Sequence, residues 1–231
     1  MAKKPTEPLK ITLKLSDGRI NSTDGVIMFD SILYHAWFFK YKPEVLDGLG
    51  ANEYDGYIGL PLLQLPGNRW SASRGIYEEE GKTIEYINKR PNFFDSGKSE
   101  KLDQEKGTID VAAGKYRAYR VPFVIRTIKN GEVTFFARGT KEKIDDLLEK
   151  MKAVGKKTAI GYGMVSDWEI DSCENDFTLW HPEYGLMRPV EVESEEAKQI
   201  PDAQNYPVMM YGVKPPYWKP KNARLCYVPI R

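Results

Sequence analysis

Histidine and cysteine are scarce in this chain, with two of each among 231 residues. Cys173 and Cys226 can build no disulfide framework and no paired CxxC, so a reduced compartment is expected. Together with His181 their spacing matches no structural zinc pattern. No metal and no cofactor are therefore expected. No Ser-His-Asp or Cys-His order is legible, and His35 sits among apolar helical neighbours, where a core or helix-surface histidine is the ordinary outcome. Charge of one sign is not in excess either: 34 basic less 33 acidic residues leaves +1. A globally basic polyanion binder is excluded, and any nucleic-acid surface must be local. No apolar run approaches the ~18 residues of a membrane helix. The start, "MAKKPTEPLK", lacks the apolar stretch of a signal peptide. A soluble cytoplasmic protein without membrane contact is the expectation.

What is present is an ordinary apolar share, 41%, enough for a core. "LKITLKLSDGRI" alternates, with Ile11, Leu13 and Leu15 opposite Lys10, Thr12 and Lys14. It predicts a half-buried strand ending at Asp17-Gly18. "DSILYHAWFFKYKP" predicts a helix capped by Asp30 and stopped by Pro43. "GIYEEEGKTIEYI" reads as a hairpin, and 92–107 as a mobile surface loop. Two β-rich runs then flank Asn130-Gly131, a strong hairpin signal. "TKEKIDDLLEKMKAVG" predicts a helix capped by Thr140, with Ile144, Leu147, Leu148 and Met151 as its stripe and Gly155 as its stop. "GYGMVSDWEID" is again a strand.

The order predicts an α+β fold: a ferredoxin-like (RRM-like) β-α-β-β-α-β core over 8–40 and 115–171 in a single domain. A large insertion, 41–114, follows the first helix. Residues 172–231 hold eight of the fifteen prolines and predict an extended tail packed over the domain.

Four stretches carry candidate chemistry. "GKKTAIGYG" resembles a phosphate loop only superficially. A Walker loop or dinucleotide fingerprint places a helix after the glycines, and here the helix comes before them. Two readings remain: a helix cap with a bulge, or a bare loop where a phosphate backbone approaches Gly155, Gly161, Tyr162 and Gly163 beside Lys156 and Lys157. From Lys115 to Lys129 there are five basic residues and no acidic one. Tyr116, Arg120 and Arg126 share a strand parity, as single-strand RNA binders arrange them, and Lys10 and Lys14 would extend that face. Ordinary surface charge is the alternative. "NRWSASRGIY" offers Arg69, Trp70, Ser71, Ser73 and Arg74 as a phosphate or base clamp, or else as a buried Trp anchor with flanking arginines. Tyr217 and Trp218, among Lys214, Lys219, Lys221 and Arg224, suit nucleic acid, a protein partner, or docking on the core.

Taken together, these features resemble the RAMP superfamily of CRISPR-associated proteins. The resemblance is carried by "FDSILYHAWFF", "LPLLQ…RWSASRGIY" and "GKKTAIGYGMVSDWEI". The tail, "LMRPVEV…GVKPPYWKP…YVPI", narrows it to the type IV subunit in the Cas-five position of the effector complex. That resemblance implies a non-catalytic subunit that binds the CRISPR RNA 5′ handle and caps the backbone filament. Its implied partners are the adjacent RAMP backbone subunit, the large subunit, and target DNA near its flanking motif. It further implies that Gly155, Gly161 and Gly163 admit RNA backbone, that Lys156 and Lys157 neutralise phosphates, and that Arg120 and Arg126 line an open sheet face. Two alternatives stand beside it: a metal-independent endoribonuclease using His35 or a tyrosine near the loop, and a protein-interaction module without nucleic acid.

Overall fold

Two long antiparallel ribbons organise the molecule. They are seen in a computed structural model that describes residues 6–47, 54, 56, 58–89 and 119–230. The chain is mixed α+β, with more strand than helix. Strand β1 (Glu7–Leu15) is the alternating segment, and it buries Leu9, Ile11, Leu13 and Leu15 as expected. It leads through Asp17-Gly18 into β2 (Arg19–Asn21), then α1 (Phe29–Tyr41) and α2 (Pro43–Asp47). Short strands β3 (Gln64–Leu65) and β4 (Arg69–Trp70) precede the long β5 (Glu79–Lys89). Next come β6 (Tyr119–Ile128), β7 (Glu132–Gly139), α3 (Lys141–Leu148) and β8 (Val165–Ser172).

The hairpin expected at Asn130-Gly131 does not form. Both residues adopt a left-handed backbone, at φ 56° and 68°, but β6 and β7 do not pair. Instead β7 pairs with β1 (Lys14↔Glu132) and β6 pairs with β2 (Arg19↔Thr127). Both pairs sum to 146, so the register is continuous across the gap. The run from 119 to 139 is one bent strand lying along a second bent strand, 7–21. Glycines bend both at the same level. A Cβ on Gly131 would sit 2.8 Å from the Leu15 carbonyl, and one on Gly18 would sit 3.0 Å from that of Ile128. The second expected hairpin, over 75–87, is also absent: β5 is one strand, paired along its length with β6.

The bend divides the ribbon between two sheets, β7-β1-β8 and β2-β6-β5. Beyond β7, residues 71–76 run antiparallel to it through the bridges Ala72↔Ala137 and Ile76↔Thr134. This segment, and not β6, flanks the central sheet. Helices α1 and α3 contribute Ile32, Leu33, Ala36, Ile144, Leu147 and Leu148 to one core with the inner faces of β1 and β7. Burying each such side chain stabilises by about 1.5–3 kcal/mol. Met28, not Asp30, is the N-cap of α1, and Asp30 lies buried in its first turn. Helix α3 starts after Thr140 as expected but ends at Leu148, well before Gly155.

The C-terminal region is more structured than an extended tail. It holds β9 (Trp180–His181), β10 (Gly185–Leu186), β11 (Val190–Glu191), β12 (Val208–Gly212) and β13 (Ala223–Tyr227). These form the hairpin β9-β10 and a sheet in the order β11-β13-β12. Proline breaks the strands into short pieces here without preventing them. Leu186, Val190, Ala197 and Ile200 form a small core of their own. No helix among the described residues is long and apolar enough to cross a membrane.

Candidate nucleic-acid interface

The glycine loop is shaped first by its own chain. Gly163 approaches so closely that a Cβ there would lie 1.9 Å from the Val154 carbonyl oxygen. Its amide donates to the Arg19 carbonyl, and its own carbonyl accepts from the Val154 amide. Gly155, at φ 84°, rests on Ile20, and Lys156 bridges Asn21 of β2. Tyr162 is buried. Its ring meets Phe123 edge-on, lies under Arg19, and its hydroxyl donates to Glu85. These three residues therefore clamp the loop to β2 and to the β5-β6 ribbon. Gly161 differs: it is exposed, at φ 96°, with open space where a Cβ would point. Lys156 and Lys157 are also exposed and form no ion pair among the described residues. The loop thus has a fixed base and a bare cationic crest.

A groove of about 780 Å³ opens beside this crest. One wall is Gly155, Lys156 and Thr158. His35 and Ser31 of α1 contribute a second, and Met210, Tyr217, Trp218 and Lys219 a third. Segments remote in sequence thus meet here: the glycine loop, the weak catalytic candidate His35, and the aromatic pair of the C-terminal region. Partial desolvation lowers the His35 pKa, favouring neutral imidazole. Tyr217 donates its hydroxyl to both Asp30 carboxylate oxygens, at 3.0 and 2.9 Å. Burial pushes the Asp30 carboxyl up to about 7, against the opposing pull of that hydrogen bond. Sequence reading gave Asp30 to the helix cap and missed this contact, which spans 187 residues. The one available signal was an acid at the head of an otherwise apolar helix.

The expected basic sheet face is not assembled. Arg126 is buried and spent internally, donating to the carbonyls of Ser22 and Thr23 and pairing with Glu79. Arg120 is exposed on the ribbon, with its guanidinium 3.7 Å from the Tyr86 ring centroid. Lys10 and Lys14 lie on another sheet, opposite Asp171 and Asp167 of β8, and Lys14 pairs with Glu169. The reason is the bend: strand parity is kept along 119–128, but that strand leaves the sheet of β1. Tyr116 lies outside the described residues.

The stretch 69–74 faces inward too. Trp70 joins the main core, bearing out the anchor reading for that residue. Ser71 hydrogen-bonds Thr178, and the Ser73 hydroxyl accepts from the Phe136 amide. Arg74 donates to the carbonyls of Tyr184, Leu186 and Ile230. Arg69 and Arg188 both pair with Glu196 at 2.7 Å. Burial alone would raise the Glu196 carboxyl, but the two guanidiniums outweigh it and hold the pKa below its ordinary value. Arg69, Ser71 and Arg74 thereby join the C-terminal region to the core, and Arg74, half-buried, also lines a cavity of about 810 Å³. Cys226 is buried in the small sheet, where desolvation pushes its thiol up to about 11. His181 stacks on Phe136 and Tyr184.

The groove thus brings a cationic loop and an exposed indole onto one surface. The sequence supplies the family. Residues 7–229 match the family of CRISPR type IV associated protein Csf3, and the chain belongs to that family. No curated protein matches it. Among solved structures it overlays a chain of the Type III-B Cmr-beta complex, determined by cryo-EM bound to cognate target RNA, with a TM-score of 0.34 and 10% identity. The overlay covers 73% of this chain and 61% of that one.

Proposed function

We propose that this chain is a non-catalytic RNA-binding subunit of a type IV CRISPR effector complex. It holds the CRISPR RNA 5′ handle in the groove beside the glycine loop and caps the backbone filament against the adjacent backbone subunit and the large subunit. Membership of the type IV family supports the setting. The observation that carries the RNA site is the meeting of Lys156, Lys219 and Trp218 on one groove, with Lys157 and the open Gly161 exposed on the same loop. The core that presents this groove reads as ferredoxin-like, with 71–76 in the second-strand position beside β7, β1 and β8.

The phosphate term makes such binding salt-dependent. The double charge reversal K156E/K157E is expected to weaken binding of single-stranded repeat RNA and to flatten its salt dependence, read by fluorescence anisotropy. Unchanged affinity and slope would remove the loop from the site. The same samples, incubated in chelator, address the nuclease reading that His35 in the groove keeps alive. Intact RNA with retained binding is the expected result. Cleavage that disappears in H35A would instead make the chain an endoribonuclease.

A further inference from the structure

We propose that Trp218 is a stacking platform for one unpaired base of the bound strand. The proposal deepens the reading of the groove as an RNA site and rests on it. Trp218 is 64% exposed, and it forms no ring pair among the described residues. Exposure of an apolar side chain needs no explanation in itself, and Met210 in the same groove is equally exposed. What distinguishes Trp218 is how firmly its surroundings are held. Tyr217, one residue before it, is anchored to buried Asp30. Lys219, one residue after, donates its amide to the Pro216 carbonyl at 3.1 Å. Asn222, only 4% exposed, donates its side-chain amide to Pro216 and receives the Val213 amide on its carbonyl. A Cβ on Gly212 would lie 2.1 Å from the Tyr217 carbonyl, so the turn folds tightly onto β12. The backbone on both sides of the indole is fixed while the ring stays in solvent at the groove. A rigid aromatic offers contact area at small entropic cost.

The surroundings choose the occupant. Lys219 and Lys156 line the same groove. Lys214, Lys221 and Arg224 lie on or beside the turn. Burial lowers the Lys214 pKa first, and the cations Arg224, Lys221 and Arg69 lower it further, as a positive field requires. An apolar protein face gains nothing from such a field. A phosphate backbone does, and its bases supply the flat faces that an indole binds without regard to sequence.

The test uses the full chain and labelled single-stranded repeat RNA, with a series of RNAs each lacking one base. Trp218→Ala is expected to weaken binding about 5- to 150-fold, with an unchanged salt slope and an unchanged melting temperature. Trp218→Phe should retain most of the affinity. One abasic position should weaken the wild type by a similar factor and cost Trp218→Ala nothing further. If Trp218→Ala binds within about twofold of wild type while K156E/K157E is weakened, the platform is wrong and the groove stands. If neither variant differs from wild type, the groove reading falls and the platform with it. If every abasic position costs Trp218→Ala as much as wild type, the indole contacts something other than a base, such as a protein partner.

Discussion

Asp30 holds a carboxyl group inside the protein with one hydroxyl as its hydrogen-bonding side-chain partner. Its pKa is raised to about 7 by burial, above the ordinary ~3.9 of an unfolded chain. Between those values the folded state binds more protons than the unfolded state, so this site's stabilisation is full at low pH and is lost as pH rises toward 7. Asp30→Asn removes the titration. The wild type should lose denaturation midpoint relative to Asp30→Asn between about pH 4 and 7, measured by urea melts at each pH. Parallel curves would show that Asp30 ionises freely. Trp218, next to the partner of Asp30, is exposed for the opposite reason: the interior takes the tyrosine hydroxyl and leaves the indole outside.

At the level of elements, the bent ribbon explains which parts of the fold were legible. Local periodicity placed β1, α1 and α3, because each carries an apolar stripe that one core satisfies. It also marked Asn130-Gly131 as a hairpin, and there the structure holds a left-handed pair that bends the strand instead. Whether a left-handed pair reverses a strand or only bends it depends on the partner, and that partner lies more than a hundred residues away. Arg126 shows what the error cost. Its parity with Arg120 is real, but the segment after β2 covers its side of the strand. Arg126→Ala would strand Glu79 and the carbonyls of Ser22 and Thr23, costing about 3 kcal/mol of stability. A chemical melt checks this. At temperatures where the variant is folded, RNA affinity should be unchanged, which separates it from Lys156 and Lys157. Those two lysines and the glycines were legible as a loop. The groove opposite them was not, because His35 and Trp218 reach it only through tertiary packing.

At the scale of the whole molecule, the buried Arg69–Glu196 ion pair joins the C-terminal region to the core. Glu196 receives Arg69 from one side and Arg188 from the other. Its pKa is depressed, so its contribution is present above the ordinary ~4.3 of a free glutamate and is lost as pH falls through the lower folded value. Glu196→Gln leaves two buried guanidiniums facing a neutral amide, a loss of about 3 kcal/mol or more. Limited proteolysis at neutral pH should cut the variant within the C-terminal region faster than wild type. Equal rates would mean that Arg74 and the surrounding core hold that region unaided. From the sequence Arg69 resembled part of a phosphate clamp, since nothing local distinguishes a guanidinium aimed outward from one aimed at a carboxylate over a hundred residues away.

The outer side of the central sheet carries Glu132, Asp167, Glu169 and Asp171 against Lys10, Lys14 and Arg138. The groove and its turn carry lysines and Arg224. The net charge of +1 is therefore a cancellation between separate surfaces rather than an absence of field. Such a molecule is an ampholyte with addresses. It should adhere to cation- and anion-exchange matrices alike near neutral pH, each through a different surface. Charge that vanishes in the sum can still set the direction from which a charged partner approaches.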